Sequence, residues 1–367
     1  MKQFLLKTAI SMVDTFKEFL EDITLTEQDL ILADEVVYSI VDIDPKYPHM
    51  FPQKYGKGEP TDKMISDMKA DMPKDVKRII AIGGGTVIDI AKVLILSSDA
   101  SIEQIFMGAP VTKDKELIVI PTTCGTGSEV TNITIAELTN LNTKKGLALD
   151  IMYPNRTVLI PEMLKGLPYK FFATSSIDAL IHCVESYMSP KANAYTEMFS
   201  VEGIKMIIEG YKYVLENGQN SWTDKIEEFL IASNYGGIAF GNAGCAAVHA
   251  LSYPLGGTHH IPHGEANQLM FMPVFNKYKE KVPVGKINQF EQVIADILEC
   301  ESTNALNKLE ELLDKIIARK PLKEYGMTES QITEFSESVI EAQQRLLNNN
   351  YVELTLEDIK EIYTSCW

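Results

Sequence analysis

Five of the six histidines lie between residues 174 and 263: His182, His249, His259, His260 and His263. The run Ser176-Ile177-Asp178-Ala179-Leu180-Ile181-His182 is compatible with a helix. Asp178 and His182 are four apart, so on a helix they share one face. His249 and His263 follow, with proline and glycine between them. A hard carboxylate with imidazoles is a ligand set for Fe(II) or Zn(II), and no thiolate is needed. The neighbours are apolar: Leu180, Ile181 and Val184 flank the first pair, and His249 sits in Ala246-Ala247-Val248-His249-Ala250-Leu251. A buried carboxylate is costly unless it is paired or binds a metal. These residues point to a metal-dependent enzyme with the metal in its C-terminal half.

The elements that must position them follow from hydrophobic period and turn chemistry. A helix is expected over 12–21. Leu30-Ile31-Leu32-Ala33 reads as a buried strand ending in Asp34, where an acid could meet the ribose of a dinucleotide. Residues 44–62 read as a loop, and Thr61 caps a helix to about residue 70. A second strand, 78–82, runs into Gly83-Gly84-Gly85-Thr86 and a helix over 87–96. Strand, glycine turn and helix start form an anion site, because bare amides and the helix dipole face the ligand. Asp89 and Lys92, in the first turns of that helix, face either ligand or solvent. A third strand, 116–120, meets Pro121-Thr122-Thr123-Cys124-Gly125-Thr126-Gly127-Ser128-Glu129, whose hydroxyls and amides suit a base, ribose or pyrophosphate. Cys124 has no histidine near it in sequence and is not read as a nucleophile. Strands at 131–138 and 147–150, with Lys144 and Lys145 in their connection, and a strand at 157–161 complete this half.

After Pro161 the period changes to 3.6. Helices are expected at 162–166, 170–188, 193–216, 223–251 and 265–276, with further amphipathic helices from 283 to 365. Small residues over 232–250 suit close helix packing, and 258–262 reads as a non-helical link carrying His259 and His260. The expectation is an α/β nucleotide-binding domain with a parallel sheet over 1–163 and an all-α metal and substrate domain over 164–367.

Composition excludes other classes. The 367 residues are 45% apolar and 23% charged, with a formal net charge of −17. Such a chain repels nucleic-acid phosphate, and no basic aromatic cluster offsets this. No secretory segment opens the chain and no run reaches membrane-spanning length. Five scattered cysteines without a CxxC read as reduced thiols in a cytoplasm.

Together these motifs resemble the iron-containing alcohol dehydrogenase family, with its dehydroquinate synthase-like fold. Gly83-Gly84-Gly85-Thr86-x-x-Asp89-x-x-Lys92 is similar to its pyrophosphate motif, and residues 121–129 to its second nucleotide motif. Asp178-Ala179-Leu180-x-His182-x-x-Glu185 is similar to the first metal signature. His249-x(4)-Pro254-Leu255-Gly256, continuing to Pro262-His263-Gly264-x-Ala266-Asn267, is similar to the second. The resemblance implies metal ligation by Asp178, His182, His249 and His263, with Fe(II) or Zn(II), and NAD(P) in a cleft between the two domains. It implies cofactor contacts from Gly83, Gly84, Gly85, Thr86, Asp89, Thr122, Thr123, Thr126 and Ser128. Asp34 stands where an acid crowds a 2′-phosphate, so NAD is expected over NADP, and Lys145 stands where a lysine reaches the cofactor ribose. A homodimer is expected.

One position departs from the pattern. Members commonly carry a histidine four residues after the His249 position, thought to help move the hydroxyl proton; Tyr253 stands there, and Tyr253 or His260 is the candidate to replace it. The wording of the chain is most similar to the branch that interconverts 4-hydroxybutyrate and succinate semialdehyde, so a small alcohol or aldehyde with a carboxylate is the expected substrate. Rival readings are a general short-chain alcohol, butanol or 1,3-propanediol dehydrogenase, a glycerol dehydrogenase-like zinc enzyme, a dehydroquinate synthase-like lyase, or a non-enzymatic nucleotide-binding protein.

Overall fold

The computed structural model describes residues 3–141 and 143–367. The chain divides into two compact units, one over 6–167 and one over 168–367 together with residues 3–5.

The first unit is built on a parallel sheet. Its strands are β1 (Ala9–Met12), β2 (Asp29–Ala33), β3 (His49–Met50), β4 (Arg78–Gly83), β7 (Glu116–Pro121) and β10 (Arg156–Leu159), in the order β1-β10-β7-β4-β2-β3. The two-residue strands β5 (Leu96–Ser97) and β6 (Thr112–Lys113) pair antiparallel, as do β8 (Ile133–Leu138) and β9 (Thr143–Ala148). Helices α1 (Phe16–Asp22), α2 (Glu35–Ile40), α3 (Asp62–Asp71), α4 (Gly85–Leu94) and α5 (Ile102–Phe106) lie between the strands in sequence. Leu30, Ile31, Leu32 and Ala33 of β2 and Ile79 to Ile82 of β4 are fully buried, as continuous apolar strands in a parallel sheet require. The helix expected over 12–21 starts only at Phe16, because Thr15 caps it by accepting from Glu18 N–H; residues 9–12 instead form the edge strand β1. Residues 143–148, not 147–150, make the partner of β8, so Lys144 and Lys145 lie within a strand rather than in a turn.

The second unit is helical. It contains α6 (Tyr169–Met188), α7 (Ala194–Asn217), α8 (Ile226–Ala243), α9 (Ala247–His259), α10 (His263–Lys281), α11 (Lys286–Leu298), α12 (Ala305–Ile316), α13 (Glu329–Ala342), α14 (Gln344–Leu347) and α15 (Leu356–Cys366). Helix α6 is the hub: α7, α8 and α10 all pack on it. The single helix expected over 223–251 is broken. Gly244 adopts φ +80°, α8 stops at Ala243 and α9 begins at Ala247. Helix α9 then runs through Thr258 and His259, residues expected to be non-helical, and ends at His260 in a left-handed cap. Among the described residues no helix is long and apolar enough to cross a membrane.

Candidate metal centre and nucleotide site

Helix α6 carries Asp178, His182 and Glu185 at positions i, i+4 and i+7, which lie on one helical face. Two glycines let neighbouring helices reach that face. A Cβ at Gly236 on α8 would lie 3.2 Å from the Ala179 carbonyl and 3.5 Å from His182 Cβ. A Cβ at Gly264 on α10 would lie 1.9 Å from the Thr174 carbonyl oxygen. The break at Gly244 turns the start of α9 toward the same face and brings in His249.

Asp178, His182 and His249 are buried, and His263 is about one-third exposed at its side chain. His249 Nε2 lies 3.0 Å from His182 Nε2 and 3.7 Å from Asp178 Oδ1, and His263 Nε2 lies 3.6 Å from the same oxygen. Burial alone would raise the Asp178 carboxyl; His182, His263 and His249 outweigh it and hold the group well below the ordinary carboxylate range. Burial would lower His249, but Cys245, Glu185 and Asp178 carry it well above the ordinary imidazole range.

Glu185 and Asn267 complete the arrangement. The Glu185 carboxylate accepts from Val248 N–H at 2.7 Å and Ala246 N–H at 2.9 Å, and meets His249 Nδ1 at 2.6 Å. It thereby satisfies amides freed at the start of α9. Both its oxygens act as acceptors, so the neutral His249 ring carries its proton on Nδ1, with Nε2 toward Asp178 and His182. This is the tautomer of a metal-ligating histidine oriented by a carboxylate. Asn267 Nδ2 donates to Asp178 Oδ1 at 2.7 Å, while its buried Oδ1 has no hydrogen-bond partner among the described residues. One carboxylate, three imidazoles and an orphaned amide oxygen in an apolar shell fit a divalent first-row cation. Cys245 adds a buried soft donor, since His182, Cys245 and His249 offer atoms within 4.8 Å of one another. Sequence reasoning placed Glu185 and Asn267 inside motifs without giving them roles. Their signal was helical spacing: Glu185 is three after His182, and Asn267 is four after His263.

Within the α/β unit, the two glycine- and threonine-rich loops leave the same end of the sheet. The register sets Ala33 beside Ile82, Ile82 beside Ile120 and Gly83 beside Pro121, so Asp34, Gly84 and Thr122 follow level strand ends. The carboxyl ends of parallel strands are where such sheets bind nucleotides. A Cβ at Gly85 would lie 2.8 Å from Thr126 Cγ2, and one at Gly84 would lie 3.3 Å from Thr123 Cγ2. The glycines thus let turn and loop approach each other at the start of α4. Asp34 holds the N-cap position of α2 without making a cap hydrogen bond, and burial raises its carboxyl.

Lys92 does not face solvent, and the Asp89 side chain is only 17% exposed. Lys92 is fully buried and donates to Ser128 Oγ at 2.7 Å, Thr131 Oγ1 at 3.0 Å and the Ile133 carbonyl at 2.6 Å. Burial pushes its ammonium down to about 8, against the pull of Asp89 and Glu129. Asp89 accepts from Ser128 Oγ at 2.6 Å and Ile135 N–H at 2.9 Å. The Ser128 hydroxyl is therefore committed to fastening the loop onto α4. Thr86, Thr123 and Thr126 remain partly exposed at the strand ends, Thr122 is buried, and Lys145 contacts Met107 Sδ at 3.1 Å.

Residues 23–161 match the iron-containing alcohol dehydrogenase profile, and residues 172–367 match that of the Fe-containing alcohol dehydrogenase family, C-terminal. The chain belongs to the iron-containing alcohol dehydrogenase family. It is 50% identical over 367 residues to the 4-hydroxybutyrate dehydrogenase of Clostridium kluyveri, covering 99% of each chain. It is 31% identical over 301 residues to long-chain-alcohol dehydrogenase 1 of Geobacillus thermodenitrificans, covering 79% of this chain and 74% of the relative. Among solved structures, sulfoacetaldehyde reductase from Bifidobacterium kashiwanohense in complex with NAD+ superposes with a TM-score of 0.86 at 21% identity, over 100% of this chain and 98% of that one.

Tyr253 and His260, the two candidates to replace the usual histidine, are placed differently. Tyr253 lies one helical turn after His249 on α9, its ring stacked beside His263 with centroids 6.1 Å apart. Burial raises its phenol, against the charge of His249. His260 is exposed at the α9 cap, and no hydrogen bond or ion pair is found for it among the described residues.

Proposed function

We propose that this oxidoreductase interconverts 4-hydroxybutyrate and succinate semialdehyde, using NAD(H) and one Fe(II) held by Asp178, His182, His249 and His263. The observation that carries the reading is the grouping of Asp178, His249 and His263, whose donor atoms lie within 4.8 Å of one another, with His182 Nε2 3.0 Å from His249 Nε2. Zn(II) is accepted by the same donor set. The substrate reading is supported by the 50% identity to the C. kluyveri enzyme.

When bound, the cation supplies Lewis-acid polarisation of the substrate oxygen and the dinucleotide supplies or accepts the hydride. The chain's own residues do the rest. Glu185 keeps the proton of His249 on Nδ1, and Asn267 orients Asp178. The apolar shell of α6, α8 and α9 keeps water from these groups. Tyr253, rather than the exposed His260, walls the substrate beside His263 and offers it a hydroxyl. The amides of Gly84, Gly85 and Thr86 at the start of α4 hold the pyrophosphate, Thr122, Thr123 and Thr126 line its path, and Asp34 accepts from the ribose diol. Lys145 reaches the ribose from β9.

The test is kcat/KM with NADH on protein reconstituted with Fe(II). Succinate semialdehyde should exceed butyraldehyde by at least about tenfold, from roughly 1.5–3 kcal/mol for a hydrogen bond to a charged carboxylate. Equal or better use of butyraldehyde moves the chain to the short-chain alcohol branch. The cofactor has its own check. The wild type should prefer NADH to NADPH, and Asp34→Gly should narrow that preference at least about tenfold, ~1.4 kcal/mol. An unchanged ratio in the variant removes Asp34 from the ribose.

A further inference from the structure

We propose that Cys245 gives the metal centre a second, softer donor set, made of His182, Cys245 and His249, and that Zn(II) settles there with the cysteine thiolate bound, while Fe(II) keeps to the set that contains Asp178 and His263. The inference rests on the metal reading above through the imidazoles that the two sets share. Among the described residues, donor atoms converge in two groups: Asp178, His249 and His263 form one, and His182, Cys245 and His249 the other, each with its atoms within 4.8 Å of one another. All three residues of the second group are buried. Of the five cysteines, Cys124, Cys183, Cys300 and Cys366 belong to neither group.

The thiol is placed by backbone that is fastened on both sides. Gly244, at φ +80°, ends α8, and Cys245 stands in the link before α9 begins at Ala247. The buried Asn349 donates through Nδ2 to the carbonyls of Ala243 at 2.9 Å and Cys245 at 3.1 Å. Glu185 accepts from the next amide, Ala246 N–H, at 2.9 Å. Around a tetrahedral ion with bonds of about 2.0–2.3 Å, neighbouring donors lie roughly 3.3–3.8 Å apart, so side-chain shifts of about 1 Å close this group on a cation. Softness then divides the cations. A thiolate with imidazoles selects zinc, and a carboxylate favours a harder ion. The carboxylate set accepts zinc as well, but the sulfur makes the other set the stronger one. As the S–Zn bond forms the S–H bond breaks, and the proton passes to solvent. Glu185 holds His249 Nδ1 at 2.6 Å, which leaves that ring one nitrogen for one cation. Zinc in the soft set therefore shuts iron out of the hard one.

The experiment loads the full-length, tag-free protein with one equivalent of Zn(II) and reads the zinc shell by X-ray absorption, in wild type, Cys245→Ser and Cys245→Ala. Wild type should show one sulfur at about 2.3 Å beside imidazole nitrogens. Both variants should show nitrogen and oxygen alone. Chelator competition gives the second readout. Cys245→Ala should bind Zn(II) at least about tenfold more weakly, ~1.4 kcal/mol, with its Fe(II) affinity unchanged. Zinc surrounded by nitrogen and oxygen alone in wild type overturns the thiolate set and leaves the metal reading standing. A sulfur that persists in Cys245→Ser, or a Zn(II) affinity unchanged in Cys245→Ala, does the same. Equal loss of both metals in Cys245→Ala reduces Cys245 to a packing residue and also overturns the proposal. A wild type that binds neither Zn(II) nor Fe(II) overturns both readings.

Discussion

Glu185→Leu is expected to lower divalent-metal affinity by about 10- to 100-fold and to remove about 3–5 kcal/mol of stability. Glu185 touches no substrate in this account, yet one carboxylate accepts from two backbone N–H groups and fixes the ring of His249. Leucine leaves all three donors buried and unmet, and each such donor costs about 1–3 kcal/mol. The loss of affinity follows because the freed imidazole can turn or carry its proton on Nε2, the atom that faces Asp178. Urea unfolding of metal-free protein isolates the stability part, and chelator competition measures the affinity. Glu185→Gln should fall between wild type and leucine, since its amide keeps one acceptor and presents donors where donors already point. Wild-type metal affinity in the leucine variant would show that the buried carboxylate does not orient His249.

Gly264→Ala, one methyl group, is expected to separate helix α10 from α6. The added carbon would meet the Thr174 carbonyl oxygen at 1.9 Å and its carbon at 2.7 Å, and neither is the end of a flexible side chain. Overpacking of this kind costs about 1–3 kcal/mol, occasionally more. Here the strain falls on one place, because His263 and Asn267 ride on α10 and Asp178 lies one turn after Thr174. Metal affinity should drop at least about tenfold, ~1.4 kcal/mol. Gly257→Ala is the control: nothing lies within 4 Å of its Cβ, and replacing a helical glycine should stabilise by about 0.5–1 kcal/mol. Equal metal affinity in Gly264→Ala and Gly257→Ala would contradict the close approach of the two helices.

The clustering of Asp178, His249 and His263 was legible in the sequence because its logic is local. An aspartate and a histidine four apart in an apolar run reveal both a helix face and a buried polar cost, and the strand-to-glycine turns are legible in the same way. What stayed hidden depends on partners distant in sequence. The break between α8 and α9 was masked by the helix-forming alanines around it; only Gly244 signalled it, and the compensating group, Glu185, lies 61 residues before Ala246. Lys92 read as a ligand or surface lysine because nothing in its own helix says that Ser128, Thr131 and Ile133 will enclose its ammonium. The strand β1 was missed because it is a short edge strand whose partner, β10, lies some 147 residues on: Ala9 pairs with Arg156. His260 looked equivalent to Tyr253 in sequence, and the left-handed turn that ends α9 separates their surroundings.

Metal binding by Asp178, His182, His249 and His263 is tested most directly by metal content alongside NADH-dependent reduction of succinate semialdehyde in wild type and His263→Ala. His263 is the most exposed of the four, so its replacement disturbs the helical core least. The expected result is close to one divalent metal per wild-type chain, and in His263→Ala a loss of metal and of activity together, with the metal-free fold melting as the wild type does. A variant that kept its full metal complement and full activity would contradict it.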